Sequence, residues 1–135
     1  MNVELLNGVK ISYPKDCGNA PKKIVLVGLY KAFAASNYAH IQENTTEDLI
    51  WQMIGKEVIE GHDQALEKLK QYREVEGGLK EIAIFNAITH GNICAVNGKL
   101  TFNNSSSFAF CDIFKFRGFS KTAKVKEISS YVIKI

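Results

Sequence analysis

The stretch Phe108-Ala109-Phe110-Cys111-Asp112-Ile113-Phe114-Lys115-Phe116-Arg117 sets one carboxylate among four phenylalanines. Side chains alternate across a strand. Lys115 and Arg117 need water, so their parity faces outward. Phe108, Phe110, Asp112, Phe114 and Phe116 then share the inward face. An acid in that company is costly to leave charged and unpaired. It is either hydrogen-bonded into the core or kept for acid–base chemistry, its pKa raised by apolar neighbours. The sequence leaves both readings open.

Other groups with chemical potential are few. Tyr30 lies on an apolar helical stripe with Leu26, Leu29, Phe33 and Asn37, at i, i+3, i+4, i+7 and i+11 spacing. Its phenol is either a satisfied core hydroxyl or a donor to a ligand, with Phe33 beside it as pocket wall. Trp51 shares strand parity with Leu49 and Met53, so all three point into one interior, as core or as pocket lining. Its indole N–H wants a partner. Asn86 shares parity with Ile82, Ile84, Ile88 and His90. An Asn among isoleucines is a pocket donor, unless the face assignment is off. His90 precedes Gly91-Asn92 in a hairpin turn, which accounts for it, and it is also the nearest candidate base to Asp112. His40 and His62 sit in polar surroundings and read as surface residues. No Ser-His-Asp, P-loop, metal-ligand or glycine-rich nucleotide pattern occurs, so no cofactor or metal is expected.

The elements that must hold these groups follow from periodicity and turn residues. Asn7-Gly8 offers a turn inside residues 1–20, an N-terminal extension that is a short strand pair or an ordered arm. Pro21, preceded by Asn19 or Ala20, opens a helix over 21–37. Ile24, Val25 and Val27 make that helix apolar on further sides, so other elements should wrap it. A short helix over 38–43 and a strand over 49–54 follow. Asp63 caps a helix ending near Tyr72. Gly55-Lys56 and Gly77-Gly78 read as turns. The remainder is strand: 79–89, 93–102, 107–116 and 124–135, joined by short breaks that imply antiparallel pairing. The layout is α+β, a curved antiparallel sheet wrapped around the N-terminal helices. The curl leaves an aromatic-lined cavity between sheet and first helix, the usual form of a small-molecule site. Trp51, Met53, Asn86, Phe33, Phe110 and Phe114 are its candidate ligand-binding residues.

Composition bounds the partners. With 135 residues, 46% hydrophobic and 23% charged, the chain suits one domain with a sizeable core. A net charge of +3 with scattered Lys and Arg argues against nucleic acid. No apolar run approaches a membrane span, and the N-terminus lacks signal-peptide character. Cys17, Cys94 and Cys111 are odd in number, have no metal spacing and suit a reducing cytoplasm. The outward row Ala109, Cys111 and Ile113 is apolar enough to support a homodimer.

Residues 21–135 resemble the nuclear-transport-factor-2-like superfamily of cone-shaped α+β folds, which includes SnoaL-like polyketide cyclases and ketosteroid isomerases. The resemblance rests on the apolar opening helix, Asp48-Leu49-Ile50-Trp51, Ile59-Glu60-Gly61 before a helix, Asp112-Ile113-Phe114-Lys115-Phe116, and Lys126-Glu127-Ile128-Ser129-Ser130-Tyr131. It implies a single domain over 21–135. In the isomerases a helix Tyr and a protonated late-strand Asp bind a developing enolate oxygen while a second Asp shuttles the proton. Tyr30 and Asp112 match the first two; the base position falls at Met53, which cannot move a proton. SnoaL-like cyclases instead use the late-strand Asp itself as acid or base. The resemblance thus implies a small-molecule-binding protein, and the cysteines suggest the cytoplasm as its compartment. It would be a cofactor-independent isomerase or cyclase with Asp112, Tyr30 and His90 as catalytic candidates, acting on an apolar ligand bearing a carbonyl or hydroxyl. The alternative is a non-catalytic binding or dimerisation module.

Overall fold

Asn7 and Gly8 both take positive φ (49° and 80°), as a type I′ turn requires. In the computed structural model, which describes residues 1–15 and 20–135, they join β1 (Asn2–Leu6) to β2 (Val9–Tyr13) as an antiparallel pair. β2 runs parallel to β5 (Leu79–His90), so the N-terminal segment forms one edge of the main sheet. Val9 and Ile11 anchor it in the core. Tyr13 donates to Glu4 at 2.5 Å, and Lys31 pairs with the same carboxylate at 2.7 Å, tying the hairpin to the first helix.

That helix, α1 (Pro21–Ala35), begins with Pro21 after extended Ala20, because proline has no N–H to leave unsatisfied. Ser36 in the left-handed region ends it, two residues short of the expected Asn37. Asn37 instead caps α2 (Tyr38–Glu43), accepting from the His40 N–H at 3.3 Å. Asn19 and Cys17 lie outside the described residues.

Next come β3 (Thr45–Met53), β4 (Glu57–Glu60) and α3 (His62–Glu74). β4 was not foreseen; only Ile59 of its four residues is buried, too little for a periodic signal. Gly61, at φ 85°, takes the cap position of α3. Asp63 therefore lies inside the first turn, where its charge still favours the helix dipole. The chain closes with β5, β6 (Ile93–Phe102), β7 (Ser107–Phe116) and β8 (Val125–Lys134) as an antiparallel meander. β8 pairs parallel with β3, giving the sheet order β1-β2-β5-β6-β7-β8-β3-β4.

One of the register shifts in the sheet decides which face the end of β5 presents. Between Ile84 and Asn86 the β5–β6 register slips by one residue, so Phe85 is the extra residue of a bulge. Opposite it stands Gly98, where a Cβ would lie 2.0 Å from the Ala83 carbonyl oxygen. Only glycine permits that approach. Ile82 and Ile84 are fully buried before the bulge, and Ala87 faces inward after it. Asn86, Ile88 and His90 are turned to the outer face.

The concave side of the sheet holds α1, whose Leu26 shares the core with Ile82, Ile84, Phe116 and Val125, all without solvent exposure. Among the described residues no helix is long and apolar enough to cross a membrane.

Candidate active site

The register of β7 fixes the site. Asp112 stands opposite Val96 on β6 and Ser130 on β8, with Phe110 and Phe114 two residues to either side on the concave face. α1 crosses above and delivers Tyr30, whose hydroxyl donates to Asp112 Oδ2. The Tyr30 ring lies 5.6 Å from Phe110 and meets Phe114 edge-on at 6.2 Å, which fixes the phenol's direction. Ser130, the cross-strand neighbour of Asp112 on β8, accepts from Trp51 Nε1 at 2.8 Å through its Oγ, and its hydroxyl beside the carboxyl favours the charged form. The Trp51–Ser130 bond ties β3 to β8, and the Tyr30–Asp112 bond ties α1 to β7.

Burial is the largest influence on Asp112 and pushes its pKa above the ordinary carboxylate value; the Ser130 and Tyr30 hydroxyls pull it down without cancelling that effect. Tyr30 is held well above the usual phenol value, by burial first and the Asp112 charge second, and so remains a donor. The arrangement is a carboxyl of raised pKa, oriented by the Tyr30 hydroxyl, inside an apolar enclosure.

A cavity of about 660 Å³ opens in front of it. Leu29, Phe33, Trp51, Met53, Leu69 and Phe110 form much of its wall, and Asp112 keeps its partial exposure toward this space. The exposed residues Ile54, Lys56, Val75 and Lys134 mark the rim.

Of the residues singled out from sequence, Asp112, Tyr30, Trp51, Met53, Phe33, Phe110 and Phe114 line this one cavity. His90 and Asn86 do not. Past the Phe85 bulge their parity is inverted: both are exposed on the outer face, and Asn86 donates to Asn97 at 3.0 Å. His90 is therefore not positioned as a base for Asp112, and Asn86 is not a pocket donor. His62 was expected at the surface but lines the cavity; its Nδ1 is enclosed without a hydrogen-bond partner and its Nε2 lies 3.5 Å from Asp63. His40 is half-buried, its ring 3.4 Å from the Asn44 amide.

Ser130 escaped the sequence reading. Its signal was the unpartnered indole of Trp51 together with its inward parity beside Ile128. Among the described residues no cluster of three His, Cys, Asp or Glu is placed to hold a metal. Cys94 is buried and Cys111 half-buried; both are free, and burial raises both thiols, leaving them poor nucleophiles.

No family model matches the chain, and no curated protein matches it in sequence. Solved structures do match. A nuclear-transport-factor-2-like protein from Burkholderia xenovorans superimposes with a TM-score of 0.68 at 17% identity, over 83% of this chain and 82% of its own. A putative SnoaL-like polyketide cyclase from Shewanella denitrificans gives 0.67 at 14%, over 83% and 90%. An LEH-like epoxide hydrolase from M. tuberculosis gives 0.65 at 14%, over 82% and 80%. The chain has the nuclear-transport-factor-2-like cone fold, with SnoaL-like cyclases among its structural neighbours. At these identities the likeness speaks for the fold, and what the site does must be argued from the site.

Proposed function

We propose that the cavity binds a compact, largely apolar small molecule through a carbonyl or hydroxyl oxygen, and that Asp112 moves a proton on it without a cofactor. The observation that carries this reading is a carboxyl held by the Tyr30 hydroxyl in an apolar cavity, its pKa raised by burial. The structural neighbours described as a putative SnoaL-like polyketide cyclase and an LEH-like epoxide hydrolase support the same class. In the proposed step the Asp112 carboxylate takes a proton from carbon next to a carbonyl, or from a hydroxyl, and becomes a neutral acid. Once neutral, Asp112 is a weaker acceptor for the Tyr30 hydroxyl. That donor is released toward the enolate or alkoxide oxygen as its charge develops. Return of the proton to a different atom completes an isomerisation or an aldol-type closure. Neither His90 nor Met53 takes part.

The test is exchange of the α-protons of small bound ketones with D2O, followed by NMR, after a thermal-shift screen of ketones, sterols and aromatic acids selects binders. Asp112→Asn should slow exchange at least about 100-fold, the usual contribution of a positioned acid–base group. Unchanged exchange in that variant contradicts the proposal.

A second reading, a homodimer formed on the outer sheet face, is favoured by the exposed apolar residues Ile88, Tyr131 and Ile133 flanking Ala95, Ala109 and Cys111. It is compatible with the first. Ile133→Glu should convert a dimer to a monomer in light scattering; a monomeric wild type removes this reading. Free Cys94 and Cys111 fit a reducing cytoplasm as the working compartment.

A further inference from the structure

The cavity wall carries two cations whose role the proton chemistry does not use. Lys134 lies on β8 opposite Phe108, on the same concave face as Ser130 and Asp112. It stands four residues beyond Ser130, about 13 Å along the strand. Lys56 sits in the turn between β3 and β4, and that turn is fastened to β8 by the Ile54 N–H bond to the Ser130 carbonyl, at 3.0 Å. β3 and β8 run parallel with Met53 opposite Ser130, so both lysines lie beyond Ser130 in chain direction and both line the cavity. Each ammonium leans over an aromatic ring of the wall, Lys56 over Tyr72 at 4.6 Å and Lys134 over Phe108 at 5.9 Å. Neither forms an ion pair among the described residues. Glu76, the acid nearest this rim in the lining, is occupied by the side chains of Asn104 and Ser106. Those bonds, and more weakly the Lys134 charge, hold its carboxyl below the usual range.

We propose that the ligand of this site is an amphipathic carboxylic acid: its oxygenated end meets Asp112 and Tyr30, its apolar body fills the cavity, and its carboxylate is held at the rim by Lys56 and Lys134. This rests on the cavity being a ligand site, as proposed above, and adds the charge and length of the molecule. The Lys134 ammonium leans over Phe108, its cross-strand partner, so the two polar ends of the ligand are separated by about 13 Å, four strand residues' length. A wall that is mostly apolar between two polar ends selects an aliphatic or aromatic chain rather than a sugar or a nucleotide.

Isothermal titration calorimetry with ω-hydroxydecanoate, its methyl ester and decanoate separates the parts. The acid should bind about tenfold tighter than the ester, as expected of two exposed charge contacts. Added salt should narrow the gap. The double variant Lys56→Gln/Lys134→Gln should bring the acid down to the ester while leaving the ester unchanged, and Asp112→Asn should weaken ω-hydroxydecanoate but not decanoate. Equal binding of acid and ester, or an acid preference that survives the double variant, overturns the anion proposal and leaves the cavity reading intact. No binding by any of the three probes overturns both.

Discussion

Replacing Asp112 by Asn separates an acid kept for chemistry from an acid that clamps the fold. The amide keeps an acceptor oxygen for Tyr30, so that bond survives in outline. What changes is charge. A hydrogen bond to an ionised group contributes about 1.5–3 kcal/mol and a neutral one about 0.5–1.5 kcal/mol, so the Tyr30 bond weakens by about 1 kcal/mol. Against this stands the burial of a carboxylate among aromatic rings, several kcal/mol (roughly) even after relaxation. The variant should thus be more stable than wild type at pH 7, by about 2 kcal/mol. The pH dependence follows from the direction of the shift. Below the unfolded carboxylate value, about 3.9, the proton is bound in both folded and unfolded chains and Asp112 carries no added penalty. As pH rises past that value and through the raised folded pKa, wild type loses stability relative to the variant. Urea unfolding of both proteins from pH 4 to pH 8 should show the gap opening toward neutral pH. A variant less stable than wild type by more than about 2 kcal/mol at pH 7 would refute the reasoning, because the charge would then be a net structural asset.

Other perturbations test the surroundings. Ser130→Ala leaves the Trp51 indole N–H without its 2.8 Å acceptor and should cost about 1–3 kcal/mol; as Trp51 is the chain's one tryptophan, its emission should shift in the folded state. Gly98→Ala places a methyl 2.0 Å from the Ala83 carbonyl oxygen and should lower the melting temperature sharply, by about 3 kcal/mol or more in stability. Removing residues 1–13 takes Val9 and Ile11 from the core and bares the edge of β5; the loss should be about 4 kcal/mol, with aggregation visible by light scattering.

Much of this architecture was legible because its signals are local. Residues 93–102 and 107–116 are bounded by Gly, Asn and Ser breaks, and the strands begin and end there. Parity along β7 was enough to turn Asp112 inward, since no bulge interrupts that strand's pairing across the site. Parity failed on β5 for the opposite reason. One inserted residue at Phe85 reversed every face after it, sending Asn86 and His90 outward. The signal lay on another strand, in Gly98, a glycine inside an otherwise strand-forming run. The parallel pairing of β3 with β8 joins residues about eighty positions apart, and no local pattern encodes it. The Ser130 contact to Asp112 depends on the antiparallel β7–β8 register, and its contact to Trp51 on that long-range pairing. His62 reached the cavity wall because α3 starts at Gly61 rather than at Asp63.

The protonation behaviour of one carboxyl in a greasy hollow decides whether this site can do acid–base chemistry. Carbon-13 NMR of the Asp112 side-chain carboxyl, titrated in wild type and in Tyr30→Phe, measures it directly. Asp112 should titrate above the ordinary carboxylate value in wild type and higher still once the Tyr30 hydroxyl is gone, since that bond stabilises the charged form. Titration at or below the ordinary value, unmoved by the Tyr30 change, would contradict the claim that this acid is held ready to take up and return a proton.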